Sequence, residues 1–296
     1  MTSAFRLACI QVNAGNDLTA NVEAASRLTR AARADGADLI AFPECVAMME
    51  QGRERSLAAA APAESHKALA AFRALAVETG AWMLAGSLSI RLDDEWIANR
   101  SYLIDPTGAI RASYDKIHMF DVELDDHESY RESSTYRPGD RAVLADTPWG
   151  PLGMTICYDL RFPHLYRDLA HRGAMMLAVP SAFTRPTGEA HWEVLLRARA
   201  IENAAYVFAP AQCGAHPRGR RTWGHSLIVD PWGEVIAAAG EEPGYIIADI
   251  DPAKVAEIRH SLPSLNHDRD YSSCDGAESD SGDGASDGSR HTATRR

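Results

Sequence analysis

The chain lacks any apolar run approaching the roughly 20 residues that a membrane-spanning helix needs. Its start, Met1 to Val12, has no basic region, apolar stretch and small-residue cleavage site, so no export signal is read there. Positive charge is short: 30 Lys and Arg face 41 Asp and Glu, for a formal net charge of −11 and a pI near 5.4. Phosphate backbones and anionic lipids attract basic surfaces, so nucleic acid and membrane are excluded as main partners. Cysteine is sparse as well. Cys9, Cys45, Cys157, Cys213 and Cys274 are odd in number, widely scattered and without a CxxC pair. That pattern speaks against a disulfide framework, a zinc site and a dithiol redox centre. A cytoplasmic protein is expected.

What is present is enough apolar material for a large core, 46% of 296 residues. Short β-rich apolar runs recur at Phe5–Val12, Asp38–Phe42, Trp82–Leu88, Ser101–Ile104, Gly153–Cys157, Ala174–Pro180, Ala205–Ala211, Ser226–Val229 and Tyr245–Ile250. Helical periodicity separates them at Leu18–Ala34, Ser65–Thr79, Phe162–Arg172 and Glu189–Asn203. Alternation over nearly the whole chain implies an α/β fold with helices covering sheets. Asp105-Pro-Thr-Gly108 and Asp230-Pro-Trp-Gly233 read as tight turns between strands, and their likeness hints at an internal duplication. From residue 272 the composition turns to Ser, Asp, Gly and Ala. One domain is therefore expected over residues 1–271, followed by a disordered acidic and polar tail over 272–296.

Three segments each place a reactive side chain at or near the end of an apolar run, where side chains from several strands can converge. They are Leu39-Ile-Ala-Phe-Pro-Glu44, Tyr114-Asp-Lys-Ile-His-Met-Phe120 and Gly153-Met-Thr-Ile-Cys-Tyr-Asp-Leu-Arg161. Cutting an amide requires a strong nucleophile, stabilisation of a tetrahedral oxyanion and a proton for the departing nitrogen. Cys157 can supply the sulfur, and Glu44 can take its proton and return it to the amine. Lys116, with a backbone N–H just after Cys157, can meet the oxyanion. Each has a plain structural alternative when taken singly: Glu44 as a strand terminator, Lys116 as a surface lysine, Cys157 as core.

Together, Phe42-Pro-Glu44, Asp115-Lys-Ile-His118 and Ile156-Cys-Tyr-Asp-Leu-Arg161 resemble the Glu, Lys and Cys motifs of the nitrilase superfamily of carbon–nitrogen hydrolases, over about residues 5–271. The resemblance implies a four-layer α-β-β-α sandwich, a cysteine thioester route without metal or cofactor, and assembly into a homodimer or higher homo-oligomer. It also implies a second glutamate beside the lysine. Glu132, in Glu132-Ser-Ser-Thr-Tyr-Arg-Pro-Gly139, is the choice, with Glu123 and Glu128 as rivals in the same polar segment.

The stretches Pro180-Ser-Ala-Phe183, Thr187 to Asn203 and Ala211-Gln-Cys-Gly214 are similar to the amidase branch that takes small ω-amides of oxo-dicarboxylates, above all to deaminated glutathione amidases. Such a small-molecule substrate would be cut to 2-oxoglutarate and cysteinylglycine. The sibling activities are ω-amidase action on 2-oxoglutaramate and hydrolysis of carbamoyl or aliphatic amides. A carboxylate-bearing substrate needs a fixed cation, for which Arg161 is the candidate, with Tyr158, Phe183 and Thr187 as further substrate-binding positions. Arg197 and Arg199 read as structural or interfacial, and His118, His191 and His225 as unnecessary once a carboxylate base is present. The rivals from other classes are an acyltransferase and a catalytically silent binding or scaffold protein. Three intact reactive groups argue against the silent one.

Overall fold

The computed structural model describes residues 3–125 and 128–272. One compact unit ends at Asn266 and a second begins at His267. The expected tail lies outside the described residues from Ser273 onward, and so does Cys274.

Two six-stranded sheets form the compact unit. In the first, Phe5–Gln11, Leu39–Ala41 and Trp82–Arg91 run parallel. Gly244–Ile250 pairs antiparallel on one side, and Ile97–Ile104 followed by Ile110–Asp115 extends the other. The second sheet repeats this order. Its parallel centre is Leu152–Met154, Met176–Ala178 and Tyr206–Ala209. Val143–Ala145 pairs antiparallel on one edge, and Leu227–Val229 with Val235–Ala238 closes the other.

Strands buried on both faces read as continuous apolar runs, and here the alternating side chains divide between layers. Leu7 and Cys9 join Leu84, Leu103, Met154 and Val207 in the core shared with the second sheet. Ala8 and Ile10 turn the other way, onto Ala25 and Ala32 of helix Leu18–Ala34 and onto Phe72 and Leu75 of helix Lys67–Thr79. Helices Pro163–His171 and Arg185–Asn203 cover the second sheet through Leu165, Leu169, Trp192 and Leu196. The result is the α/β sandwich expected from the motifs. Among the described residues no helix is long and apolar enough to cross a membrane.

The two Asp-Pro turns occupy equivalent places, each joining the last two strands of its sheet. In both, the glycine N–H reaches the aspartate carbonyl at 2.9 Å, with Gly108 at φ +77° and Gly233 at φ +90°, where a Cβ would be strained. The aspartate side chains accept from the backbone N–H two and four residues on, at 2.8 and 3.2 Å for Asp105 and 2.9 and 2.9 Å for Asp230. Matching turns on matching sheet orders strengthen the hint of duplication.

Departures from the sequence reading have simple causes. Strand Trp82–Arg91 and its partner Ile97–Ile104 are longer than the apolar runs, because Ser89, Arg91, Asn99 and Arg100 interrupt the hydrophobic pattern while the ladder continues. The polar segment after Phe120, where no strand was read, pairs Asp121–Asp125 with Glu128–Arg131. Helix Arg185–Asn203 begins four residues earlier than the periodicity suggests, with Pro186 in its first turn, where a missing N–H costs nothing.

Candidate active site

The central strand Leu39–Ala41 ends at Phe42-Pro43, and proline cannot continue a ladder. The chain then crosses tightly over Gly86, where a Cβ would lie 1.8 Å from the Phe42 carbonyl oxygen, so only glycine permits this path. Cys45 N–H donates to Ser87 Oγ at 2.9 Å and Gln212 Nε2 donates to the Glu44 carbonyl at 3.0 Å, which fixes Glu44 at the sheet edge. Lys116 follows strand Ile110–Asp115. Its N–H donates to Asn99 O at 3.0 Å and its carbonyl accepts from Gly139 N–H at 2.8 Å. A Cβ on Gly139 would stand 2.3 Å from Asp115 O, so the Pro138-Gly139 pair is there for close approach.

Cys157 lies just past strand Leu152–Met154, where its N–H donates to Pro180 O at 3.0 Å. Its φ of +50° is a conformation that side-chain-bearing residues rarely adopt and that recurs at functional sites. A 3₁₀ turn, Cys157–Arg161, begins there, and such a turn leaves its first N–H groups, including that of Tyr158, without helical partners. Asp159, fully buried, binds this turn to the lysine segment. It accepts from Ile156 N–H at 2.8 Å, Tyr114 Oη at 2.7 Å, and His118 N–H and Nδ1 at 3.1 and 2.7 Å. His118 is thus a clasp on Asp159, stacked on Phe162 at 3.6 Å, and forms no dyad with the cysteine. Arg199 holds the same turn from behind, donating twice to Leu160 O at 3.1 and 2.7 Å.

These supports bring Lys116, Glu44, Glu132 and Asn99 into contact, beside Cys157. Lys116 Nζ donates to Glu44 Oε1 at 2.9 Å and to Glu132 Oε2 and Oε1 at 2.9 and 3.1 Å. Asn99 Nδ2 bridges the same carboxylates at 2.8 and 3.1 Å. Glu44 Oε2 accepts from Ala182 N–H at 2.9 Å, and Glu132 Oε2 from Phe120 N–H at 2.7 Å. The Cys157 thiol lines the same cavity and is close enough to Glu44 for each to shift the other's ionisation. Glu132, and not Glu123, reaches the lysine; Glu123 makes an exposed pair with Arg131 at 2.6 Å. The Glu128 side chain lies outside what the structure describes.

Charge states follow from this packing. Burial is the largest influence on Lys116 and favours the neutral amine, but the two carboxylates together outweigh it and hold the ammonium well above its usual range. Burial likewise pushes Glu44 upward; the Lys116 charge, its hydrogen bond, the thiol and Arg220 overcome it, and the carboxyl stays below its usual range. Burial, then the Glu44 charge, raise the Cys157 thiol well above its ordinary value, against Lys116 and the Ala182 N–H. At rest the trio is a carboxylate, an ammonium and a protonated thiol, arranged so that Glu44 can accept the sulfur's proton as the sulfur attacks.

A cavity of about 320 Å³ opens over these groups, and Tyr158, Arg161, Phe183 and Thr187 line it with them. Arg161 does not pair with Asp159. Its Nη2 donates to His191 Nδ1 at 3.2 Å, and its guanidinium lies over Tyr158 and Phe183 at 5.9 and 5.5 Å. Three participants escaped the sequence reading: Asn99, the Ala182 N–H and Arg220. A backbone donor leaves no trace in residue type, and Arg220 sits in an Arg-Gly-Arg-Arg run that looks like solvated surface. Asn99 lies two residues before the Ser101–Ile104 run, outside the pattern that marked the strand.

A family model described as carbon–nitrogen hydrolase matches residues 6–260. The chain belongs to that family, within the nitrilase superfamily, and is a hydrolase of carbon–nitrogen bonds. It is 48% identical over 204 residues to a deaminated glutathione amidase of Yersinia enterocolitica, covering 68% of this chain and 71% of that one. It is 41% identical over 269 residues to one from Synechocystis, covering 89% and 97%. The crystal structure of the Caenorhabditis elegans NitFhit protein superposes with a TM-score of 0.85 at 38% identity, over 90% of this chain and 66% of that longer one.

Proposed function

We propose that this chain is an amidase that cuts the amide of a small oxo-dicarboxylate through a thioester on Cys157, with deaminated glutathione as its substrate. Attack of the sulfur on the amide carbonyl passes the thiol proton to Glu44. The oxyanion is met by Lys116 Nζ and the Tyr158 N–H, an interaction worth about 3–4 kcal/mol per donor. Collapse breaks the C–N bond as Glu44 returns the proton to the leaving amine. Water, activated by Glu44, then cleaves the thioester to release the acid and restore the thiol. Glu132 keeps Lys116 charged and in place. The carrying observation is the Glu44 carboxylate, which binds the buried Lys116 ammonium at 2.9 Å at the wall of the cavity that Cys157 also lines. The amidase names of the relatives and the arginines around the cavity support an anionic amide as substrate. Incubating the purified protein with deaminated glutathione, 2-oxoglutaramate, neutral aliphatic amides and carbamoyl compounds, and following products by mass spectrometry, tests it. Release of cysteinylglycine and 2-oxoglutarate at the highest kcat/KM is expected; preference for a neutral or carbamoyl compound would discard the substrate.

The working form we propose is a cytoplasmic homodimer. Helix Arg185–Asn203 shows Val194 and Ile201 to solvent at 70% and 47% exposure, two turns apart on one face. Trp232, 61% exposed, lies in the turn whose Gly233 abuts Ile201. An apolar stripe of this kind suits a two-fold self-contact. Sedimentation should give about twice the 32.2 kDa chain mass. Val194→Asp combined with Trp232→Glu should yield monomer, and a monomeric unmodified protein at micromolar concentration removes the idea.

A further inference from the structure

Lys116 and Cys157 belong to different sheets. Lys116 follows Ile110–Asp115, the edge strand of the first, and Cys157 lies past Leu152–Met154 in the parallel centre of the second. The backbone bond that each N–H makes stays within its own half: Lys116 to Asn99 O, in strand Ile97–Ile104, and Cys157 to Pro180 O, just past Met176–Ala178. Asp159 crosses between them. It stands two residues beyond Cys157 and is fully buried. Its Oδ2 accepts from Ile156 N–H, next to the sulfur, at 2.8 Å and from Tyr114 Oη at 2.7 Å. Its Oδ1 accepts from His118 N–H at 3.1 Å and from His118 Nδ1 at 2.7 Å. Tyr114 and His118 are the residues two before and two after Lys116. One carboxylate therefore grips both flanks of the lysine and the peptide that leads into the nucleophile.

An ionised carboxylate only accepts hydrogen bonds, and every group named above as facing Asp159 donates one. We propose that Asp159 is a positioning residue: it fixes the separation of Lys116 Nζ from the Tyr158 N–H, so that both point at one oxyanion on the carbon attacked by Cys157. This role rests on the amidase reading above and adds to it the group that sets its geometry. Oxyanion donors act at about 2.7–3.1 Å from the oxygen, and a misplacement of about 1 Å can lower a rate about 100-fold. The two donors come from different sheets, so their separation has to be set by a group that touches both segments. Asparagine in place of Asp159 would keep the shape but carry an oxygen on one side only. Its NH2 would face either the Ile156 N–H or the His118 N–H, backbone donors that cannot turn round, and one segment would be released from the other.

Amide turnover and two reagents for the same sulfur test this role. Methyl methanethiosulfonate has no carbonyl: the sulfur displaces methanesulfinate and forms a disulfide, and no oxyanion arises. Butanal takes the sulfur at its carbonyl carbon and gives a tetrahedral adduct with an oxygen where the oxyanion would stand. Its affinity is read as protection of the Cys157 peptide from the thiosulfonate. In Asp159→Asn, kcat for the best amide and butanal affinity should each fall about 100-fold, with KM and the thiosulfonate rate at Cys157 within about threefold of the unmodified protein. A kcat inside that same limit overturns the role. So does a thiosulfonate rate that falls as far as kcat, which is what a loosened fold or a displaced sulfur would give. Should Asp159→Asn fail to fold, His118 decides. His118→Leu should lower kcat about tenfold, and His118→Asn, whose amide N–H stands where Nδ1 does, should recover most of it; equal loss in both refutes the role. Amide cleavage that survives unchanged in Asp159→Asn leaves the amidase reading standing without this role. An unmodified protein that cleaves no amide, yet loses butanal protection in Asp159→Asn, does the reverse.

Discussion

Cys157→Ala is expected to lower kcat by roughly 10⁵–10⁶-fold, the scale seen when the nucleophile of a coupled catalytic set is removed. Glu44 and Lys116 remain in that variant, yet they would have only water to direct at an amide, and no thioester can form. Stability should fall by no more than about 1 kcal/mol, because a single sulfur is lost. Alanine keeps the Cβ, so the φ of +50° at this position is as unfavourable before the change as after it. The Lys116 contacts with both carboxylates do not involve the sulfur. Two measurements check the claim: steady-state turnover of the best amide, and intact-protein mass during turnover. The unmodified enzyme should carry a transient acyl adduct on Cys157 and the variant none. Turnover within tenfold of wild type, or an adduct on another residue of the unmodified enzyme, removes Cys157 from the chemistry.

Sequence and structure agree most closely where one physical signal dominates. Helix Leu18–Ala34 has the bounds that its 3.6-residue periodicity predicts, with Asp17 accepting from Ala20 N–H at its start. The parallel strands were visible because burial on both faces leaves few polar residues in them. Strands such as Ile110–Asp115, largely open to solvent, offer no such run and escaped notice. The same division holds at the site. Glu44 and Cys157 were readable because each sits in a motif at the end of an apolar run, and Lys116 through its Asp115-Lys-Ile-His118 motif alone. Gly86 and Gly139 matter through the approach of two backbone segments, which a linear reading cannot see. Arg220 was hidden because what it touches, the Tyr130 ring and the Ala182 carbonyl, lies 90 and 38 positions away. Polarity along the chain told where charges are, and the fold decided which of them lose their water.

Lys116→Met should cost both activity and stability, and the stability loss should depend on pH with a sign opposite to that of ordinary carboxylates. Lys116 is 2% exposed and shares its ammonium between Glu44 and Glu132. Methionine matches its length but leaves two carboxylates around Asn99 with no cation between them, and breaking a buried ion pair typically costs about 3–5 kcal/mol. In the unmodified protein Glu44 lies below its ordinary value, so its contribution is present above the unfolded carboxyl pKa of about 4.3 and is lost on acidification through the folded value. Lys116 lies above its own, so its contribution is present below about 10.4 and is lost only as pH rises through the folded value. Between about pH 5 and 10 these two groups leave stability flat. In the variant, like charges in a buried site push one carboxyl upward, and the folded state then holds a proton that the unfolded state releases. Its stability should therefore rise from pH 7.5 to pH 5. Denaturant midpoints at the two pH values read this directly, and kcat should fall about 10²–10³-fold for the lost oxyanion donor. A variant as stable as the parent at pH 7.5, with the same flat response, would mean that Lys116 does not neutralise these carboxylates, and the charge states assigned to the site would go with it.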